Sequence, residues 1–179
     1  MAKKEILKPF IRSWEGGFVN DPYDRGGATK WGITIGTFRS VYGKGKTVED
    51  LKAMTEDQWD HIFKVLFWDK FRADEIQSQS IANLVVDWIW ASGTLQIKKV
   101  QRILGVTVDG VVGPKTIAAI NNYSGGQRAL FDRIKVQRTA FINAIAVGTQ
   151  ARYKKGWSRR LGAIQWGKLV CNDNKEIKF

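Results

Sequence analysis

Cysteine and histidine are almost missing from this chain, and their scarcity removes whole classes of chemistry. The single cysteine, Cys171, forbids an internal disulfide and suits folding in a reducing compartment. The single histidine, His61, lies in TEDQWDHIFKVLFW, which reads as an amphipathic helix, so an ordinary surface or boundary position is expected. A structural zinc site normally takes four Cys or His ligands and a hydrolytic one at least two His, more than this chain can supply. A Ser-His-Asp triad would have to use His61, and a Cys-His pair would need Cys171, which has no activating neighbour in KLVCNDNKEIKF. No metal and no organic cofactor are therefore expected. No apolar run reaches the roughly 18 residues a membrane span needs. The opening MAKKEILKPFIRSWEGG lacks the apolar core and small-residue cleavage site of a secretory signal, so synthesis in the bacterial cytoplasm is expected, with another route to any external target.

Acidic residues are scarce in one half only. Residues 1–93 carry 13 Lys/Arg and 13 Asp/Glu, whereas residues 94–179 carry 16 Lys/Arg and only 4 Asp/Glu, so the whole net charge of +12 belongs to the second half. Such a half is drawn to an anionic polymer or surface: nucleic acid, an acidic membrane or a bacterial cell wall. No nucleic-acid motif is recognised and the basic residues are scattered over several expected helices, so no nucleic-acid partner is expected.

What the chain does contain is helical periodicity. With 44% hydrophobic residues and eight Trp it can fill a core, which argues against disorder. Ile6, Leu7, Phe10, Ile11 and Trp14 form one stripe over 4–15, ended by Gly16-Gly17. FVNDPYDRGGATKWGITIG (18–36) holds four glycines and short β-favouring pieces, and reads as a Gly-rich loop with one or two short strands. Thr47 reads as an N-cap, and Thr55 with Gln58 as a capping box before Trp59, Ile62, Phe63, Leu66 and Phe67. Ile81, Leu84, Val85, Trp88 and Ile89 mark a helix over 79–92 that ends at Gly93. Beyond it we expect helices over about 95–104, after Pro114, over 126–147 and over 153–170. No linker separates a first lobe (1–93) from a second (94–179), so the two are expected to pack together.

Glu15 is the sharpest chemical feature. It closes an apolar helix, whose C-terminal partial charge disfavours an anion, and Trp14 and Phe18 disfavour it further wherever they cover it. A carboxyl kept protonated is what a general acid needs, and the two glycines leave room for a bulky substrate. Asp21 and Asp24 follow in the polar NDPYDRGG, where a carboxylate stays ionised. One neutral and one charged carboxyl is the pairing of glycoside hydrolysis, and their separation decides the stereochemistry. Asp21 before Pro22 also suits a turn. Thr29 and Thr34 are either strand residues or holders of a water beyond the sugar.

EGGFVNDPYDRGGATKWGITIG resembles the signature of the glycoside hydrolase family 108 lysozymes at Glu15, Gly16, Gly17, Asp21, Pro22, Asp24, Gly26, Gly27, Thr29, Gly32, Ile33 and Thr34. The resemblance implies a mainly α, lysozyme-like fold: a helical bundle whose Gly-rich loop or short β-hairpin carries the active site. It also implies N-acetylmuramidase activity with Glu15 as the catalytic glutamate. More distantly, phage lysozymes place a Glu at a helix end, an Asp nine residues on and a Thr beyond. That order singles out Asp24 and favours Thr29 over Thr34. IKKVQRILGVTVDGVVGPKTIAAI and the GW of ARYKKGWSRR resemble the predicted peptidoglycan-binding region that follows this catalytic unit. One departure stands out: Ala91 precedes Ser92-Gly93 where family members often have Asn.

The expectation is therefore hydrolysis of the β-1,4 bond between N-acetylmuramic acid and N-acetylglucosamine, with Glu15 as acid, Asp24 stabilising the oxocarbenium-like state and Thr29 aiding the water. A lytic transglycosylase, or a non-catalytic wall-binding or export-assisting protein, is the alternative. Asp21, Tyr23, Trp31, Thr34 and Trp68 are the candidate substrate contacts, with Tyr23, Trp31 and Trp68 as sugar-stacking rings that could equally be core. The partners expected are peptidoglycan glycan strands and the anionic wall, met by a monomer delivered as a phage lysin through a holin or as a prophage-derived export helper.

Overall fold

The computed structural model describes residues 1–20 and 27–179, so Asp21, Tyr23 and Asp24 lie outside the described residues. The first helix, α1 (Lys4–Trp14), buries Leu7, Phe10 and Ile11 along the expected stripe. It leads into a three-stranded antiparallel sheet of two-residue strands, β1 (Phe18–Val19), β2 (Thr29–Lys30) and β3 (Ile33–Thr34), in which Val19 opposes Thr29 and Thr29 opposes Thr34. The left-handed Trp31 and Gly32 make the turn between β2 and β3.

Three helices follow: α2 (Ile35–Tyr42), α3 (Val48–Lys52) and α4 (Glu56–Phe63). Thr47 caps α3, and Thr55 with Gln58 forms the reciprocal capping box that starts α4, as the sequence pattern predicts. Beyond Phe63 the helix widens into a π turn over Lys64–Trp68, which leaves Leu66 and Phe67 half-buried and Trp68 fully inside. The central helix α5 (Gln79–Ser92) is buried from Ser80 to Ile89, nearly all round, because every neighbouring layer packs on it.

The second half adds α6 (Ile97–Leu104), α7 (Pro114–Asn121), with proline in its first turn, and α8 (Gly126–Ile145). The GVTVDGVVGP loop between α6 and α7 is organised by the buried Gln101. Its amide donates to Asp109 Oδ1 (2.7 Å) and to the Val111 carbonyl (3.0 Å), and it accepts from the Gly110 N–H (2.8 Å). The loop's Asp-Gly pair therefore holds a turn. Leu130, Phe131, Ile134 and Ile142 of α8 join the same hydrophobic core as α1 and α5, so both halves share one interior.

The end of the chain departs from the sequence expectation. Instead of a helix to about 170, α9 spans only Lys154–Ala163, and a second antiparallel sheet follows: β4 (Ile164–Gln165), β5 (Lys168–Val170) and β6 (Glu176–Lys178). A two-residue turn with left-handed Gly167 joins β4 to β5, and left-handed Asn174 lies in the turn to β6. This sheet clamps α1: the Asn172 N–H donates to Ser13 Oγ (3.0 Å), and the buried Cys171 thiol faces the Pro9 carbonyl (4.0 Å). Among the described residues no helix is long and apolar enough to cross a membrane.

Candidate active site

Glu15 is the residue at which α1 stops. Its backbone is extended (φ −99°, ψ 140°) and its N–H reaches back to the Arg12 carbonyl. Gly16 and Gly17 do not end the helix by a left-handed turn; neither has positive φ. What they supply is space, since a Cβ at either would meet nothing within 4 Å. Gly32 is the opposite case. A Cβ there would lie 2.6 Å from Glu15 Oε2 and 2.8 Å from the Trp90 ring, and its φ is +78°. Only glycine fits the turn that closes over the carboxyl.

Two donors hold the other oxygen. The Trp90 indole N–H and Arg160 Nη1 each donate to Glu15 Oε1 over 2.8 Å. Trp90 stands in the last turn of α5, fixed by rings of Phe67, Trp59 and Phe63 with centroids 4.7, 5.6 and 5.8 Å away. Arg160 comes from α9, 145 residues along the chain. Its remaining guanidinium edge grips Asp87 Oδ1 through Nε (3.0 Å) and Nη2 (2.7 Å). Arg138 of α8 takes Asp87 Oδ2 (2.5 Å) and the Leu84 carbonyl (3.2 Å). The result is a hydrogen-bonded chain of acidic and basic side chains, Glu15–Arg160–Asp87–Arg138, whose last two members are fully or almost fully buried. Burial by itself would raise the Asp87 carboxyl, but the two arginines outweigh it and hold the group below the ordinary carboxylate range. The same burial works against charge on Arg160, yet Asp87 and Glu15 raise it further above its ordinary value, so it stays cationic.

The Glu15 carboxyl opens into a cavity of about 330 Å³. Gly32 lines it beside the carboxyl, with Trp90, Ala91 and Ser92 of α5. Ile142 and Ile145 of α8 and Trp157 of α9, from the second half of the chain, complete the lining. Glu15 is the one carboxylate lining it among the described residues.

The other sequence candidates fare unequally. Trp68 is 1% exposed and its indole donates to Asp74 (2.7 Å); it belongs to the core and has no face for a sugar, which corrects that expectation. Trp31 sits beneath two cations, with the Arg12 guanidinium 3.9 Å and Lys30 Nζ 4.1 Å from its ring centre, away from the Glu15 cavity lining. The Thr34 hydroxyl caps α2 by accepting the Thr37 N–H (3.1 Å). Thr29 is half-buried on β2, in register with β1, and does not line the cavity. His61 is exposed, as expected. Sequence reasoning missed Arg160, Asp87, Arg138 and Trp90. A net-basic helix far along the chain carries no sign of which arginine turns inward, whereas an Asp among apolar α5 residues is a signal that a buried cationic partner exists.

Comparison with known proteins places this geometry. The family model for Glycosyl hydrolase 108 matches residues 9–93, and that for the Predicted Peptidoglycan domain matches 96–162. The solved structure of SagA from Brucella abortus superposes with a TM-score of 0.78 at 30% identity, over 91% of this chain and 92% of that one. The chain belongs to the glycosyl hydrolase 108 family. No curated protein matches it. This family 108 protein is a glycosidase acting on peptidoglycan, with a lysozyme-like fold. The junction between its two matched regions, at 93–96, falls between α5 and α6, and the Glu15–Arg160 pair bridges that junction.

Proposed function

We propose that this glycosidase hydrolyses the β-1,4 bond between N-acetylmuramic acid and N-acetylglucosamine, with Glu15 as the proton donor. The observation that carries the reading is the asymmetric hold on the Glu15 carboxyl. Oε1 accepts two N–H bonds, from Trp90 and Arg160, so the transferable proton belongs on Oε2, the oxygen beside Gly32. A donor fixed by two hydrogen bonds and a tight glycine turn delivers its proton from one direction.

Bond cleavage then proceeds as the proton passes from Oε2 to the glycosidic oxygen and the sugar on the other side develops oxocarbenium character. In this reading Asp24 stabilises that charge and Thr29, on the strand paired with β1, orients the attacking water. Asp87 takes no part in proton transfer, because it is sealed between two arginines.

A lytic transglycosylase is the second reading, favoured by one observation: a single carboxylate lines the cavity among the described residues. Mass spectrometry of fragments released from purified peptidoglycan decides between them. Reducing-end muramic acid supports hydrolysis, and an anhydro end overturns it in favour of the transglycosylase.

A further inference from the structure

The side of the cavity facing α5 is built by the second half of the chain. Ile142 and Ile145 near the end of α8 line it, and so does Trp157 of α9. The apolar surface does not stop at the rim. Ile145 is 37% exposed, Val147 65% and Tyr153 44%, and the Tyr153 ring lies 5.7 Å from that of Trp157. Apolar and aromatic side chains gathered in solvent beside a cavity that holds a reactive carboxyl mark a ligand surface. Charge distinguishes the same stretch. Residues 134–172 contain eight Lys/Arg and no Asp/Glu, and Lys154 precedes Trp157 by one helical turn, on the same side of α9. Across the cavity Ala91 is exposed and small, which leaves the width between the two walls open.

We propose that this wall is a sugar subsite of the cleft. One N-acetylated pyranose ring of the glycan strand packs its C–H face on Trp157, sets its acetamido methyl against Ile142 and Ile145, and turns an acidic substituent towards Lys154. A pyranose suits this wall because its faces are apolar and its edge is polar, and the polar residues Ser92 and Arg160 line the cavity beside the apolar ones. A cavity of about 330 Å³ lies at the small end for ligand sites and suits one ring. The second half thereby completes the catalytic cleft from α8 and α9. The inference rests on the reading that a glycan strand is cut at Glu15, but it is tested by binding alone.

The experiment uses full-length Glu15→Gln protein and titrates it, by calorimetry, with a tetrasaccharide of alternating N-acetylglucosamine and N-acetylmuramic acid and with tetra-N-acetylchitotetraose. Adding Trp157→Ala is expected to weaken both ligands about tenfold or more, the usual cost of truncating a central aromatic anchor, and Trp157→Phe to restore most of the affinity. Lys154→Glu is expected to weaken only the muramic acid ligand. Unchanged affinity for both ligands in folded Trp157→Ala protein overturns the subsite. Should Trp157→Ala not fold, Ala91→Phe, at an exposed helix-end position on the facing wall, carries the test: it is expected to block binding, and unaltered binding overturns the proposal. Retained lysis by Glu15→Gln would sink the catalytic reading while leaving these affinities interpretable.

Discussion

Arg160 Nη1 donates to Glu15 Oε1 over 2.8 Å, so a residue near the end of the chain holds the carboxyl that closes the first helix. The same guanidinium is anchored behind by Asp87, which makes it a rigid support. Its effect on rate follows from that rigidity. Arg160→Met is expected to lower kcat on solubilised glycan about 10²-fold, the scale of loss for a misplaced catalytic group, with a much smaller change in KM. Arg160→Lys keeps the charge, loses the fork and is expected to recover only part of the rate. A rise in KM with unchanged kcat would assign Arg160 to substrate binding instead.

The closeness of Gly32 to the carboxyl makes a sharper steric prediction. Gly32→Ala places a methyl 2.6 Å from Glu15 Oε2 at a φ of +78°. The backbone cost is about 1 kcal/mol, too little to unfold an ordinary domain. We expect a folded protein with lytic activity reduced at least about tenfold, read by turbidity loss together with a melting curve.

Asp87 governs stability more than chemistry. Asp87→Ala leaves the buried Arg138 without its counter-ion and is expected to cost about 3–5 kcal/mol in denaturant unfolding. The wild-type carboxyl is held below its unfolded value. Its contribution is therefore fully present above the unfolded value, near pH 4, and is lost as pH falls through the depressed folded value. Unfolding free energy is expected to fall as pH drops below about 4, and to fall less steeply in Asp87→Asn. Equal slopes in the two proteins would remove the group from the acid response.

The C-terminal sheet clamps α1 at Pro9 and Ser13, whereas the Glu15 carboxyl is held by Trp90 and Arg160. Leu169→Ala, at a fully buried position of β5, is expected to destabilise by about 2–5 kcal/mol. The folded fraction is expected to retain the wild-type kcat, as active-site titration against folded protein would show.

Much of this fold was legible because local rules decide it. The Thr47 cap, the Thr55–Gln58 box, proline at the start of α7 and the stop at Gly93 are each set within a few residues, and the structure contains them all. Glu15 at a helix end beside a glycine-rich turn was legible for the same reason. The C-terminal sheet was not, because Leu161, Ile164 and Leu169 fit a helical stripe as well as a strand, and the left-handed turn at Gly167 that settles the matter occupies one residue. Trp68 stayed open between core and sugar-stacking because an aromatic side chain suits both, and the structure buries it at the end of the π turn over 64–68. The Glu15–Arg160–Asp87–Arg138 chain was invisible because its partners meet only once α1, α5, α8 and α9 have packed, and nothing local says which arginines of a basic half face inward.

The central claim is that the Glu15 carboxyl donates the proton that breaks the glycosidic bond, and the most direct measurement is the rate of turbidity loss of purified peptidoglycan with wild-type and Glu15→Gln protein at matched folded concentration. Glutamine keeps the size of the side chain and an oxygen for Trp90 and Arg160 but has no proton to give, so a fall of at least about 10²-fold is predicted. Equal rates in the two proteins would contradict the account.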